Sequence, residues 1–153
     1  RKSTSDYSFP VVLVNKKDDG EKTRMCIDYR KLNTITIPER YPMPLIQDIE
    51  NKMLDAELFT TLDISSGFHH IQVATEDKRK TAFVTMHEHY EWNVMPFGLK
   101  NAPAIFQRIV YNILKRHELT SFAHNYIDDI IIFSKNKTQH FLLDETQHSC
   151  KKK

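Results

Sequence analysis

Residues 121 to 133 read Ser-Phe-Ala-His-Asn-Tyr-Ile-Asp-Asp-Ile-Ile-Ile-Phe. Two stretches rich in aromatic and β-branched residues flank a pair of aspartates. This predicts a hairpin with strands over 121–126 and 130–133 and a tight turn at Ile127-Asp128-Asp129. Upstream, residues 58 to 64, Leu-Phe-Thr-Thr-Leu-Asp-Ile, read as a buried strand ending at Asp63 and a Ser-Ser-Gly turn. Three carboxylates thus stand where an apolar core would avoid them. Burying such charges costs several kcal/mol per ion unless a cation compensates. Hard oxygen ligands of this kind select Mg²⁺, and two such ions can clamp the attacking and leaving oxygens of a phosphoryl transfer. Asp-Asp is equally at home in an ordinary hairpin turn, and Asp63 in an ordinary cap; these residues alone leave both readings open.

Outward from this centre the elements alternate. Residues 9–14 and 24–29 read as a hairpin across the turn-rich Asp18-Asp19-Gly20, and Pro38, Pro42 and Pro44 make an extended connector. Leu45, Ile46, Ile49 and Met53 recur at helical spacing, so 45–54 is expected as an amphipathic helix with that stripe inward. Thr75 is expected as the N-cap of a short basic helix through Lys78-Arg79-Lys80. Strands over 82–86 and 90–95 flank a polar loop at His87-Glu88-His89. Asn101-Ala102-Pro103 starts a helix that buries Phe106, Ile109, Val110, Ile113 and Leu114. Strands and helices without a regular βαβ repeat point to an α+β fold. In residues 93 to 107 a Pro96-Phe97-Gly98 turn precedes this helix, presenting backbone and an aromatic face that suit a flat base or sugar.

The chain has 153 residues, 22 basic and 20 acidic, with 40% hydrophobic residues. That is enough for one domain, or one with a small lobe, around a real core. No apolar run approaches the length of a membrane-spanning helix, so no membrane partner is expected. Cys26 and Cys150 lie far apart and form no CxxC pair, which argues against a disulfide framework or zinc site and suits a reducing, intracellular setting. The net charge of +2 is too mild to announce nucleic-acid binding by itself. The chain opens on a polar stretch without methionine and closes on Lys151-Lys152-Lys153, which reads as a piece of a longer polypeptide.

Several segments together resemble the reverse transcriptase family, most closely the polymerases of gypsy-type long-terminal-repeat retrotransposons. The matching residues are 9–14 with Lys16-Lys17-Asp18, Arg24-Met25-Cys26-Ile27-Asp28-Tyr29-Arg30-Lys31-Leu32-Asn33, Leu62-Asp63-Ile64-Ser65-Ser66-Gly67-Phe68-His69-His70-Ile71, Met95 to Gln107, and Tyr126-Ile127-Asp128-Asp129. The resemblance implies an RNA-directed DNA polymerase with a right-hand fold, its antiparallel palm sheet packed on helices. Fingers would span about 9–41 and 74–100 and palm about 42–73 and 101–140, with the family's thumb and RNase H regions not represented. It implies two Mg²⁺ ions, with Mn²⁺ as an alternative, held by the catalytic carboxylates of Asp63, Asp128 and Asp129 and the carbonyl of Ile64. It implies that Lys16 and Arg24 grip the incoming triphosphate and that Phe68 lies beneath the nucleotide sugar and excludes a 2′-hydroxyl, with Phe97 on the nucleotide's other side. Tyr126, Pro96 and Gly98 would lie near primer and template. The implied partners are deoxynucleoside triphosphates and an RNA or DNA template with its primer. A non-catalytic, domesticated nucleic-acid-binding relic is the alternative. His70 stands where relatives carry Gln, and the His87-Glu88-His89 turn lacks their glycine.

Overall fold

The computed structural model describes residues 1–15, 23–138 and 140. In chain order its elements are β1 (Phe9–Asn15), β2 (Thr23–Ile27), α1 (Arg30–Ile35), α2 (Ile46–Lys52), β3 (Leu58–Asp63), α3 (Thr75–Lys78), β4 (Phe83–Val84), β5 (His89–Tyr90), α4 (Ala102–Arg116), β6 (Ala123–Tyr126) and β7 (Asp129–Ser134). The described residues form two compact units, one within 1–40 and 66–103, the other within 41–65 and 104–140.

The first unit holds a four-stranded sheet in the order β2-β1-β4-β5. β1 and β2 pair antiparallel with Val11 opposite Ile27, as the expected hairpin requires. β4 runs parallel to β1 and antiparallel to β5. Phe9, Ile27, Tyr29 and Phe83 form the core, with Val11, Leu32, Tyr90, Trp92 and Leu99 packed around them. The Tyr29 hydroxyl donates to the Thr81 carbonyl at 2.7 Å, so its polar end is satisfied where the ring is buried.

The second strand stops at Ile27 rather than running to Tyr29, because Asp28 turns its carboxylate onto the Arg30 N–H at 3.1 Å and onto the Arg30 guanidinium. That bond opens α1, a helix the sequence reading missed. Strands 82–86 and 90–95 shrink to two residues each. The Thr85 hydroxyl accepts from the Glu88 N–H, and the Thr85 N–H donates to the Glu88 carbonyl, closing a tight turn where the ladder was expected to continue. Thr75 is the first residue of α3 rather than its cap; Ala74 precedes it with no side-chain capping bond.

The second unit is built on a fully antiparallel sheet in the order β3-β7-β6. In α4, Phe106, Val110 and Leu114 are buried as expected, whereas Ile113 is 48% exposed. The helix expected over 45–54 forms as α2, but its apolar stripe does not point into a core. None of its residues is buried, Leu45 and Ile46 are exposed, and Leu45 and Ile49 instead line a cavity of about 540 Å³ with Met43, Tyr111 and His124. His140 bridges the sheet: its two ring nitrogens bond the Thr60 and Ser134 hydroxyls, each at 2.8 Å.

Candidate functional site

The three aspartates lie in the second unit. Asp63, the last residue of β3, stands directly opposite Asp129, the first of β7, and Asp129 stands opposite Tyr126 at the end of β6. Directly opposed residues share a sheet face, so Asp63, Asp129 and Tyr126 form a row across the three strands. Asp128 sits in the two-residue turn between β6 and β7. That turn begins at Ile127 with φ +54°, a left-handed conformation that costs a β-branched residue about 1–2 kcal/mol. The Asp128 carbonyl accepts the Ile64 N–H at 2.9 Å, which ties the turn to the chain leaving β3.

The expectation that β3 is interior does not hold. Its residues alternate half-buried and exposed, and Asp63 and Asp129 are both exposed. Short apolar runs do not reveal which strand faces are covered, and Asp128 is the most covered of the three aspartates. One Asp128 carboxylate oxygen is buried without a hydrogen-bond partner. Burial, then the charges of Asp63 and Asp129, push its pKa up. A carboxylate oxygen orphaned beside two further carboxylates is an acceptor that a cation would satisfy. Among the described residues no group of three or more His, Cys, Asp or Glu side chains is placed so as to hold a metal ion. Mg²⁺ needs none, since it binds through one or two carboxylates and completes its octahedron with waters and substrate phosphates. The donor set therefore fits a divalent ion.

Behind the turn stands a residue to which the sequence reading gave no role. Gln107 on α4 is 2% exposed. Its Nε2 donates to the Asn125 carbonyl at 2.9 Å, and its Oε1 accepts the Ile127 N–H at 2.7 Å. The signal was present in the sequence: Gln107 is a polar residue on the same helical face as Val110 and Leu114, and a buried amide must find partners.

The other expected site residues lie in the first unit. Phe68 follows Gly67 in a single 3₁₀ turn over Gly67–His70 and is buried, its ring centroid 5.2 Å from that of Phe97. Phe97 is half exposed and also meets the His69 ring edge-on. Pro96 is fully buried, while Gly98 is exposed and takes φ +91°. Arg24 occupies β2 opposite Val14. Lys16 lies outside the described residues. The structure thus gathers Asp63, Ile64, Asp128, Asp129 and Tyr126 in one unit and Pro96, Phe97, Gly98 and Phe68 in the other.

A family model described as reverse transcriptase (RNA-dependent DNA polymerase) matches residues 14–153. The chain is 50% identical over 143 residues to the retrovirus-related Pol polyprotein from transposon 297 of Drosophila melanogaster, covering 92% of this chain and 13% of that protein. It is 42% identical over 154 residues to the polyprotein from transposon gypsy of the same organism, covering 98% of this chain and 15% of that one. The chain therefore spans less than a sixth of these relatives. Among solved structures, the foamy viral protease-reverse transcriptase in complex with double-stranded DNA superposes with a TM-score of 0.79 at 28% identity, covering 92% of this chain and 24% of that one.

Proposed function

Since the chain belongs to the reverse transcriptase family, we propose that it carries the nucleotidyl-transfer centre of an RNA-directed DNA polymerase. The centre would join deoxynucleoside triphosphates to a primer 3′-hydroxyl on an RNA or DNA template. The observation that carries this reading is the Asp63–Asp129 cross-strand pair flanking Asp128, whose buried oxygen lacks a partner. Asp63 and Asp128, with Asp129 and the Ile64 carbonyl, are the residues to hold two Mg²⁺ ions, Mn²⁺ serving as a substitute. When bound, such ions stabilise charge on the attacking and leaving oxygens. The protein's own part is to keep three negative groups close before metal arrives and to aim them by a rigid turn.

In this reading the first unit corresponds to fingers and the second to palm, except that residues 66–73 and 101–103, expected in the palm, fall in the first unit. Phe68 acts as the barrier to a 2′-hydroxyl, Phe97 as the second wall of the nucleotide, and Lys16 and Arg24 as triphosphate ligands. Tyr126 and Gly98, both exposed, are the groups available to primer and template; Pro96, buried, shapes the turn that carries Gly98. The test is single-nucleotide addition to a primer-template at low salt with enzyme in excess, with Mg²⁺ or Mn²⁺. Incorporation by the wild type and its loss in Asp128→Asn is the expected result; equal incorporation by both would overturn the assignment.

A further inference from the structure

β6 is an edge strand, because the sheet order is β3-β7-β6. One side of β6 bonds β7; among the described residues no strand pairs with its other side, and the backbone groups there need partners from elsewhere. In a strand the carbonyl of residue i and the N–H of residue i+2 point the same way. The Asn125 carbonyl and the Ile127 N–H are such a pair, and the Gln107 side chain meets both. A carbonyl can only accept and an N–H can only donate, so these two bonds fix which end of the amide is oxygen. Gln107 therefore acts as one more rung on the edge of the sheet, supplied by a side chain.

The position of this rung gives it consequence. Ile127 is the left-handed residue of the turn, and Asp128 is the next residue. A β-branched residue holds φ +54° only where its surroundings over-determine it. The bond from the Ile127 N–H to Gln107 fixes the peptide that enters this strained residue, and the bond from the Ile64 N–H to the Asp128 carbonyl fixes the peptide that leaves Asp128. We infer that Gln107 is a positioning residue: its buried amide locks the β6–β7 turn and so aims the Asp128 carboxylate toward Asp63 and Asp129. Gln107 acts through the backbone of Asn125 and Ile127. The inference rests on the divalent-ion site proposed above.

The experiment measures Mn²⁺ affinity by electron paramagnetic resonance and hydrogen exchange of the Ile127 amide, on the whole chain and on Gln107→Met, Gln107→Glu and Asp128→Asn. Methionine keeps the volume and the apolar fit but removes both bonds. Losing a group that orients a metal ligand weakens metal binding by about 10- to 100-fold, so the folded Met variant is expected to bind Mn²⁺ at least about tenfold more weakly, with faster Ile127 exchange. The Glu variant keeps the acceptor for the Ile127 N–H and is expected to lie between wild type and Met; it also provides the comparison should the Met variant fold poorly. Mn²⁺ affinity of folded Gln107→Met within twofold of wild type overturns the inference, even with a lowered melting temperature, since that would be a structural role only. Wild type and Asp128→Asn binding Mn²⁺ equally would overturn the metal reading itself. In that case unchanged Ile127 exchange in Gln107→Met would overturn the lock separately.

Discussion

Asp128 shows how the site opposes the fold that carries it. Its raised pKa comes from burial and from Asp63 and Asp129, so the ionised form is disfavoured in the folded chain. A carboxyl whose folded pKa lies above its unfolded value adds stability while protonated, and that contribution disappears as pH rises through the folded value. Above that value the ionised chain without metal carries the repulsion of Asp63 and Asp129. Asp128→Asn removes it, and because solvent on one side screens these charges, a gain of about 1 kcal/mol, or roughly 2–4 °C in melting temperature, is expected. The gain should fade as pH falls toward the unfolded carboxylate's value. Mg²⁺ should stabilise wild type and not the variant. Thermal scans across pH with and without Mg²⁺ check both signs; a less stable Asn variant at neutral pH would mean that Asp128 has a partner when charged. Phe68 presents the complementary case. It is buried against Phe97, so truncation to alanine would remove core as well as a sugar contact. Phe68→Val is the milder probe, and the measured quantity should be a ratio, which does not depend on the folded fraction. If the ring excludes a 2′-hydroxyl, the ratio of ribonucleotide to deoxynucleotide incorporation should rise at least about tenfold, a change of ~1.4 kcal/mol between two transition states. An unchanged ratio would return Phe68 to the core alone.

Hairpins were legible in the sequence because alternation and turn residues act locally. β1–β2 and β6–β7 formed within a few residues of their expected ends, and the register of β3 and β7 sets Asp63 opposite Asp129, with Asp128 in the turn before β7. What was not legible depended on distant chain. The period of α2 marked an apolar stripe but could not say what would cover it, and the stripe borders a cavity. β3 looked interior because Leu, Phe and Thr dominate it, yet its burial alternates. Gln107 became meaningful only with its two backbone partners 18 and 20 residues away. The Pro96-Phe97-Gly98 turn offers a clean test of local conformational cost. A Cβ on Gly98 would lie 3.5 Å from the Ile27 carbonyl oxygen and 3.6 Å from the Tyr29 ring, both ordinary contacts. Space is therefore not the obstacle; φ +91° is. Gly98→Ala should cost about 1–2 kcal/mol from the backbone alone, read as a shifted denaturant midpoint with an unchanged slope. A neutral substitution would show that the turn relaxes to negative φ without loss.

The 153 residues as a whole carry a formal charge of only +2, and this sets what they can grip. Nucleic-acid affinity comes largely from phosphates neutralised by Lys and Arg, each releasing a counterion. Residues 1–40 hold nine Lys and Arg against six Asp and Glu, a surplus of three. A surplus of this size supports on the order of three or four phosphate contacts, so log affinity for a primer-template duplex should fall with log salt at a slope no steeper than about −4. Rate suffers as well as affinity, because a primer end misplaced by ~1 Å can cost ~10²-fold even at an intact carboxylate centre. The curated relatives are many times longer than this chain, which accounts for 13% and 15% of the two compared. The 153-residue chain alone is therefore expected to add one or a few nucleotides at low salt and to make no long products. Binding titrations from 50 to 200 mM salt, roughly the range over which a many-contact protein loses ~10³-fold or more, together with primer extension, read both quantities. Long products at the upper salt, abolished by Asp128→Asn, would show that these two units hold a primer-template far better than their charge allows.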